Sequence, residues 1–382
     1  MGHVDRRLKI LISVNAAWNV WNFRRPLVEA MLAAGHEVTI LAPEDDTVPR
    51  LQAMGCRVRH LKMSVKGLNP LQDYGLQRRF ARVFAEQRPD VILSFTIKNN
   101  IFGALAAKSA RIPFVPNVTG LGTAFLSGGL LRSVAVALYR TAFRNLPVVF
   151  FQNEDDRALF LELGLVSQKQ AQLLPGSGID LARFAPAAFP AESTAPVFLM
   201  IARLLRDKGV LEYVEAARRV RSDHPEARFQ VLGATDAINR TAIDRATVQG
   251  WEEEGVIEYL GTVDDVRPAI TAAHCVVLPS YREGAPRTLI EAAAMARPVI
   301  ATDVPGCRTV LDEGRTGFFC DVRSGESLAA ACARVLALPH LQRAAMGQAG
   351  RAKMEAEFDQ AIVVDAYRAA LRDVVPNGQL GA

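Results

Sequence analysis

Short β-rich runs alternate with helical patterns from one end of this 382-residue chain to the other. In the front half the runs are LKILISV (8–14), EVTILA (37–42), VRHLKM (58–63), DVILSF (90–95), PFVPNV (113–118) and PVVFFQ (147–152). The back half repeats the arrangement with PVFLMIA (196–202), RFQVLG (228–233), VIEYLG (256–261), CVVLPS (275–280), PVIATD (298–303) and GFFCDV (317–322). Strands separated by helices are the units of parallel sheets with crossover connections, so the expected fold class is α/β, with both halves doubly wound. Between them PGSGIDLARFAPAAFPAESTAP (175–196) holds no sustained period and reads as the connector, which puts the domain boundary near residue 187. After the last run, the final helical pattern (360–375) sets Val363, Ala366, Tyr367, Ala370 and Leu371 on one side.

Composition narrows the class. Half of the residues are hydrophobic, yet the longest apolar runs fall far short of the roughly 20 residues of a spanning helix. MGHVDRRLKI passes straight into a strand pattern and leaves no room for a secretory signal, so a cytoplasmic protein, soluble or surface-bound, is expected. Cys56, Cys275, Cys307, Cys320 and Cys332 are odd in number and widely spaced, which suits neither a disulfide framework nor a zinc site. Residues 1–180 carry 22 Lys+Arg against 14 Asp+Glu, and the remainder 23 against 26. A basic front half suits an anionic lipid surface or a phosphorylated substrate. No nucleic-acid-binding signature accompanies it, so no nucleic-acid partner is expected.

Open α/β sheets bind ligands beyond the carboxyl ends of their strands, and two such domains facing one another would enclose a cleft. The loops after strands therefore matter most. EGAPRTLIE (283–291) follows CVVLPS. Pro286 suits the first helical position, and the free N–H groups of that helix end would receive an anion such as a diphosphate. Glu291, about one and a half turns further in, could accept hydrogen bonds from a polyol such as a ribose, and Glu283 could hold another hydroxylated group. The plainer alternative makes Glu283 a solvated loop residue and pairs Glu291 with Arg287 at i−4. In IARLLRDKGV, Arg203 and Lys208 flank a loop before a helix starting near Gly209 and read either as a diphosphate clamp or as two solvated cations.

In the front half, SVNAAWNVWNFRRPL offers Asn15, Asn19, Asn22, Trp18 and Trp21 after the first strand, without a GxGxxG fingerprint. Amides beside indoles suit a saccharide, while tryptophan over a sheet edge is the bland alternative. NVTGLGTAF (117–125) places Gly120 and Gly122 after another strand, where backbone could approach a ligand or simply turn. D-x-D and His/Cys/Glu clusters at metal spacing are missing, so no metal is expected to stabilise charge. GxSxG, HExxH and P-loop patterns are missing too.

Taken together, the Glu-x7-Glu motif EGAPRTLIE, Arg203-x4-Lys208, PGSGIDLARFAP and PVIATDVPGCRTVLDEGRTGFF resemble a family 4 retaining glycosyltransferase of the GT-B fold. The resemblance covers nearly the whole chain and is most specific in the back half. FRRPL, SFTIKNNIFGALAAK and NVTGLGTAF are similar to bacterial enzymes of polysaccharide and lipid-linked oligosaccharide assembly. It implies two facing Rossmann-like domains: residues 1–187, with a crossover helix in 360–382, binding the acceptor, and 188–359 binding a nucleotide-sugar donor. Arg203 and Lys208 would hold the donor diphosphate, Glu291 the ribose, and Glu283 with the Gly284 and Ala285 amides the sugar. Glu283, Arg203 and Lys208 are thus the catalytic candidates, and Asn15, Asn19, Lys98, Thr119 and Gly120 the acceptor-side ones.

The resemblance further implies metal-independent transfer with retention, the leaving diphosphate assisting deprotonation of the acceptor. No cofactor is implied beyond the donor substrate, an N-acetylhexosamine linked to UDP, and the acceptor would be a polyprenyl-diphosphate-linked or other glycan. Many relatives carry a histidine after the strand matching PFVPNV, where this chain has Val118, Thr119 and Gly120, so no protein base is named. GGLLRSVAVALYRTAFRN (128–145), with Arg132, Arg140 and Arg144 on one edge, reads as either a core helix or an interfacial helix giving peripheral membrane contact. Two other functions compete: a nucleotide-sugar isomerase with two facing α/β domains, and a catalytically idle sugar-nucleotide-binding partner.

Overall fold

A computed structural model describes residues 6–63, 70–121, 129–192, 195–235 and 241–375. The chain divides into two compact units, Met1–Ser177 with Gln360–Ala382, and Gly178–Asp359. In the first, β1 (Lys9–Ser13), β2 (Glu37–Ala42), β3 (Arg57–His60), β4 (Val91–Phe95), β5 (Phe114–Val118), β6 (Val149–Phe151) and β7 (Ala171–Leu173) form one sheet ordered β3-β2-β1-β4-β5-β6-β7. In the second, β8 (Val197–Ile201), β9 (Arg228–Leu232), β10 (Glu258–Tyr259), β11 (Cys275–Leu278), β12 (Val299–Thr302) and β13 (Gly317–Cys320) are ordered β10-β9-β8-β11-β12-β13. Every pairing is parallel. All twelve runs read from the sequence are strands; β7, three residues long with two of them exposed, shows no pattern and is the addition.

Parallel strands need both faces covered, and alternate residues serve alternate faces. In β8, Phe198 and Met200 join one core with the helices Val210–Asp223 and Gly325–Ala337, while Val197 and Leu199 join another with Arg287–Ala294. The first sheet is covered likewise. Gln360–Val374 returns to it, burying Val363, Val364, Tyr367, Ala370, Leu371 and Val374. There the Tyr367 hydroxyl accepts a hydrogen bond from Asn117 Nδ2 at 3.0 Å, and its ring lies 4.8 Å from that of Phe150.

The division falls at Gly178, nine residues before the position expected near 187, because the start of the connector is bound into the second unit. Ile179 and Phe184 are buried, and the Ile179 N–H donates to the Phe358 carbonyl at 2.7 Å. Arg297, fully buried, donates to the carbonyls of Ala187 and Ala188 at 3.0 and 2.7 Å. The same guanidinium reaches Ile270, Thr271, Met295 and Ala296, the carbonyl ends of two helices. Composition alone hid this anchoring.

Helix Gly129–Phe143 packs Tyr139, Ala142 and Phe143 into the first unit's core and leaves Arg132 and Arg140 exposed. One side of this helix thus lies in the core and the arginines form a solvated edge; Gly128 lies outside the described residues. Among the described residues no helix is long and apolar enough to cross a membrane.

Candidate active site

In each sheet the strand order reverses between two neighbours, β1 and β4 in the first, β8 and β11 in the second. Such a reversal sends the two following loops away from one another and opens a crevice at the carboxyl ends. Most of the candidate residues lie in those loops or in the first turns of the helices they enter; Thr119 and Gly120 follow β5 instead.

In the second unit the chain leaves β8 through Arg203, makes a 3-10 turn at Arg206–Lys208, and enters the helix Val210–Asp223 at Gly209. Gly209 has φ +77, and a Cβ there would stand 2.1 Å from the Pro279 carbonyl oxygen, so only glycine lets the two loops touch. After β11, Ser280 Oγ donates to the Asp207 carbonyl at 3.2 Å, Tyr281 N–H to the same oxygen at 2.9 Å, and Thr302 Oγ1 donates to the Ser280 carbonyl. The loop then rests on Gly306, whose N–H donates to the Glu283 carbonyl at 3.2 Å and whose Cβ, if present, would lie 2.6 Å from Gly284 O.

These supports bring Lys208 Nζ to 2.5 Å from Glu283 Oε1, with the side chains 24% and 12% exposed. Glu283 is therefore mostly covered and paired, not a solvated loop residue. Arg203 is exposed, and its side chain makes no hydrogen bond or ion pair with the described residues. Gly284 and Ala285 are half-buried, Ala285 against the neighbouring core.

Pro286 caps the next helix instead of occupying its first position. Its backbone is extended and its carbonyl accepts from Leu289 and Ile290, so the helix is Arg287–Ala294. Glu291 pairs with Arg287 at 2.7 Å, the i−4 partner weighed as the plainer alternative. Burial raises the Glu291 pKa, opposed by the charge of Arg287. Arg287 also donates to the Gly178 carbonyl at 2.8 Å.

In the first unit, Asn15 is half-buried after β1, and Asn19, in the helix Ala17–Phe23, has a buried Oδ1 with no hydrogen-bond partner among the described residues. Trp18 is 51% exposed, its backbone N–H donating to Asp45 Oδ2 at 2.8 Å, while Trp21 lies under the guanidinium groups of Arg25 and Arg50. Lys98, after β4, pairs with Asp73 at 2.9 Å and is largely covered. Thr119 and Gly120 follow β5, both half-buried, and Gly120 takes φ +144. Gly122 lies outside the described residues.

Two family models match consecutive parts of the chain: a glycosyl transferase 4-like domain over residues 20–176 and glycosyl transferases group 1 over 195–337. The chain belongs to the family 4 glycosyltransferases. Its similarity to N,N'-diacetylbacillosaminyl-diphospho-undecaprenol alpha-1,3-N-acetylgalactosaminyltransferase of Campylobacter jejuni is 27% identity, covering 95% of this chain and 98% of that one. It is 25% identical to UDP-Gal:alpha-D-GlcNAc-diphosphoundecaprenol alpha-1,3-galactosyltransferase of Escherichia coli over 66% of this chain and 68% of the relative. Among solved structures, Anabaena HepE in complex with UDP-glucose matches with TM-score 0.78 at 17% identity, covering 96% of this chain and 99% of that one. Sucrose-phosphate synthase from Thermosynechococcus elongatus matches at 0.76 and 20% identity, over 96% and 98%. The fold of this glycosyltransferase is thus GT-B.

Several polar residues of this glycosyltransferase's crevices escaped the sequence reading. Asn99 Nδ2 donates to Ser13 Oγ at 2.8 Å, joining the ends of β4 and β1, and Asn100 Nδ2 donates to the Asn117 carbonyl at 2.8 Å. The adjacent amides of SFTIKNN, in an otherwise apolar helix, were the available signal, because a buried amide needs a partner. Tyr281 and Glu212, joined at 2.7 Å, gave none.

Proposed function

We propose that this glycosyltransferase moves an N-acetylhexosamine from UDP to a polyprenyl-diphosphate-linked acceptor, with retention at the anomeric carbon and without a metal ion. The observation that carries the reading is the contact of Lys208 with Glu283 at the reversal between β8 and β11, which sets an ammonium and a carboxylate side by side. The ammonium suits a diphosphate and the carboxylate suits sugar hydroxyls. The names of the Campylobacter and E. coli relatives support the acceptor class, and the first supports the sugar.

Arg203 and Lys208 neutralise the diphosphate, helped by the N–H groups that open the helix Arg287–Ala294. Glu283, with the amides of Gly284 and Ala285, holds the sugar, and Glu291 accepts from the ribose. In the first unit Asn15, Asn19, Lys98, Thr119 and Gly120 form the acceptor side. The bond between the anomeric carbon and the β-phosphate oxygen breaks with its electron pair passing to UDP. The acceptor oxygen bonds to that carbon from the same face, and its proton passes to the departing phosphate. Stabilising charge on that phosphate supplies most of the rate. Exposed Arg132, Arg140 and Arg144 favour a peripheral site on an anionic membrane, where a polyprenyl acceptor lies. Both family models are of glycosyl transferases, so the isomerase alternative is not taken further.

The test incubates the protein with UDP-N-acetylgalactosamine or UDP-N-acetylglucosamine and a saccharide linked to undecaprenyl diphosphate, with and without EDTA. UDP release, a glycolipid heavier by one N-acetylhexosamine, an α linkage and indifference to EDTA are expected. Transfer from another nucleotide sugar only, a β linkage, or loss of activity in EDTA would each overturn the corresponding part. Binding to anionic vesicles that weakens with salt checks the membrane site.

A further inference from the structure

Adjacent strands fix only the roots of the two donor-side loops; their outer parts must be held by something else. Close to the sheet, the Ser280 hydroxyl and the Tyr281 N–H both donate to the Asp207 main-chain carbonyl, and Gly209 lets the loops approach. Farther out the tie is made by side chains alone, the Tyr281 phenol donating to Glu212 Oε1 at 2.7 Å. Tyr281 is two residues before Glu283, and Glu212 stands in the first turn of the helix that follows Lys208. Glu212 is 9% exposed, and its Oε2 is buried with no hydrogen-bond partner among the described residues. A carboxylate so placed costs free energy that an apolar residue of the same size would avoid. The fold bears that cost where Tyr281 needs an acceptor. On the Tyr281 ring, 4.8 Å from its centroid, sits the guanidinium of Arg323, a non-glycine residue at φ +60.

We propose that Tyr281 and Glu212 are a positioning pair for sugar transfer, holding the loop of Glu283 against the loop of Lys208 so that carboxylate and ammonium engage the sugar and the diphosphate in one geometry. The proposal rests on the donor-site reading above. Neither residue touches the donor; both act through Glu283. Burial, then the neighbouring Glu212 carboxylate, push the Tyr281 pKa up to about 12, so the phenol keeps its proton and donates throughout the neutral range.

The full chain is assayed for UDP release from UDP-N-acetylgalactosamine and UDP-N-acetylglucosamine in the presence of a saccharide linked to undecaprenyl diphosphate, which receives the sugar, with UDP affinity measured separately. Tyr281→Phe keeps the ring and removes the hydroxyl; Glu212→Gln keeps an acceptor for it. Tyr281→Phe is expected to lower kcat about tenfold while UDP affinity stays within about twofold, and Glu212→Gln to stay within about threefold of the parent. Combined with Glu283→Ala, Tyr281→Phe adds no further loss, since both act on one group. An unchanged kcat in Tyr281→Phe, a full additional loss in the Glu283→Ala background, or a loss that vanishes below the melting range overturns the positioning role. If Glu283→Ala keeps the parent rate, the donor-site reading falls and takes this proposal with it.

Discussion

Lys208 and Glu283 stand 75 positions apart in the chain and 2.5 Å apart in space. The ion pair is a product of parallel register: β8 and β11 lie side by side, and each releases its loop at the same edge.

Lys208→Met should reduce sugar transfer by roughly 100-fold, the usual consequence of removing one preorganised donor from a developing anion. Glu283→Gln should be milder, near 10-fold, because it keeps an acceptor for the sugar and for Lys208. Initial rates of UDP release, with melting temperatures to verify folding, measure both.

Gly209→Ala should destabilise the second unit by about 3 kcal/mol, combining left-handed backbone strain with a collision against the Pro279 carbonyl. Gly250→Ala, inside the helix Arg245–Glu253 with nothing within 4 Å of the added methyl, is the contrast and should raise stability by up to about 1 kcal/mol. Urea midpoints separate the two.

Removing the guanidinium that anchors the connector, as in Arg297→Met, should cost about 3–5 kcal/mol, since six carbonyls, three of them in fully buried contacts, lose a donor together. Burial lowers the Arg297 pKa to about 10, which still leaves it charged at neutral pH. Arg297→Lys should recover only part of the loss, because one ammonium cannot span two helix ends and the connector. Calorimetric melting reads the effect.

His274 supplies a pH dependence. Its Nδ1 accepts from the Val197 N–H at 3.1 Å, which requires a neutral ring nitrogen, and burial followed by the charges of Arg343, Arg297 and His340 lowers its pKa to about 4. An unfolded histidine takes up its proton near pH 6.5, so between that pH and about 4 the unfolded chain binds more protons. Stability should therefore fall by up to about 3 kcal/mol as the pH drops through this window. His274→Asn keeps an acceptor near Nδ1 without titrating, and should flatten this part of a stability–pH curve.

The strands were legible because buried parallel strands are continuous apolar runs between turn residues; β7 was not, since Gln172 and Leu173 are exposed and only Ala171 is buried. Glu291 with Arg287 was readable from i,i+4 spacing alone. Lys208 with Glu283 was not, because their meeting depends on which strands become neighbours. The connector misled for a compositional reason: Pro, Gly and Ala suggest a free linker, whereas Ile179, Phe184 and a distant arginine bind its first half to the second unit. Tyr281 and Glu212 carried no local signal, one being a loop aromatic and the other an acidic residue in a helix's first turn.

The return of Gln360–Val374 to the first sheet makes that unit discontinuous in sequence. A ribosome that has released only the first 177 residues therefore presents Phe95, Phe150 and Asn117 without the cover that Tyr367 later provides. The earliest-made part of this protein is the last to be completed, and an interrupted translation product would emerge with a sticky sheet face instead of a finished domain.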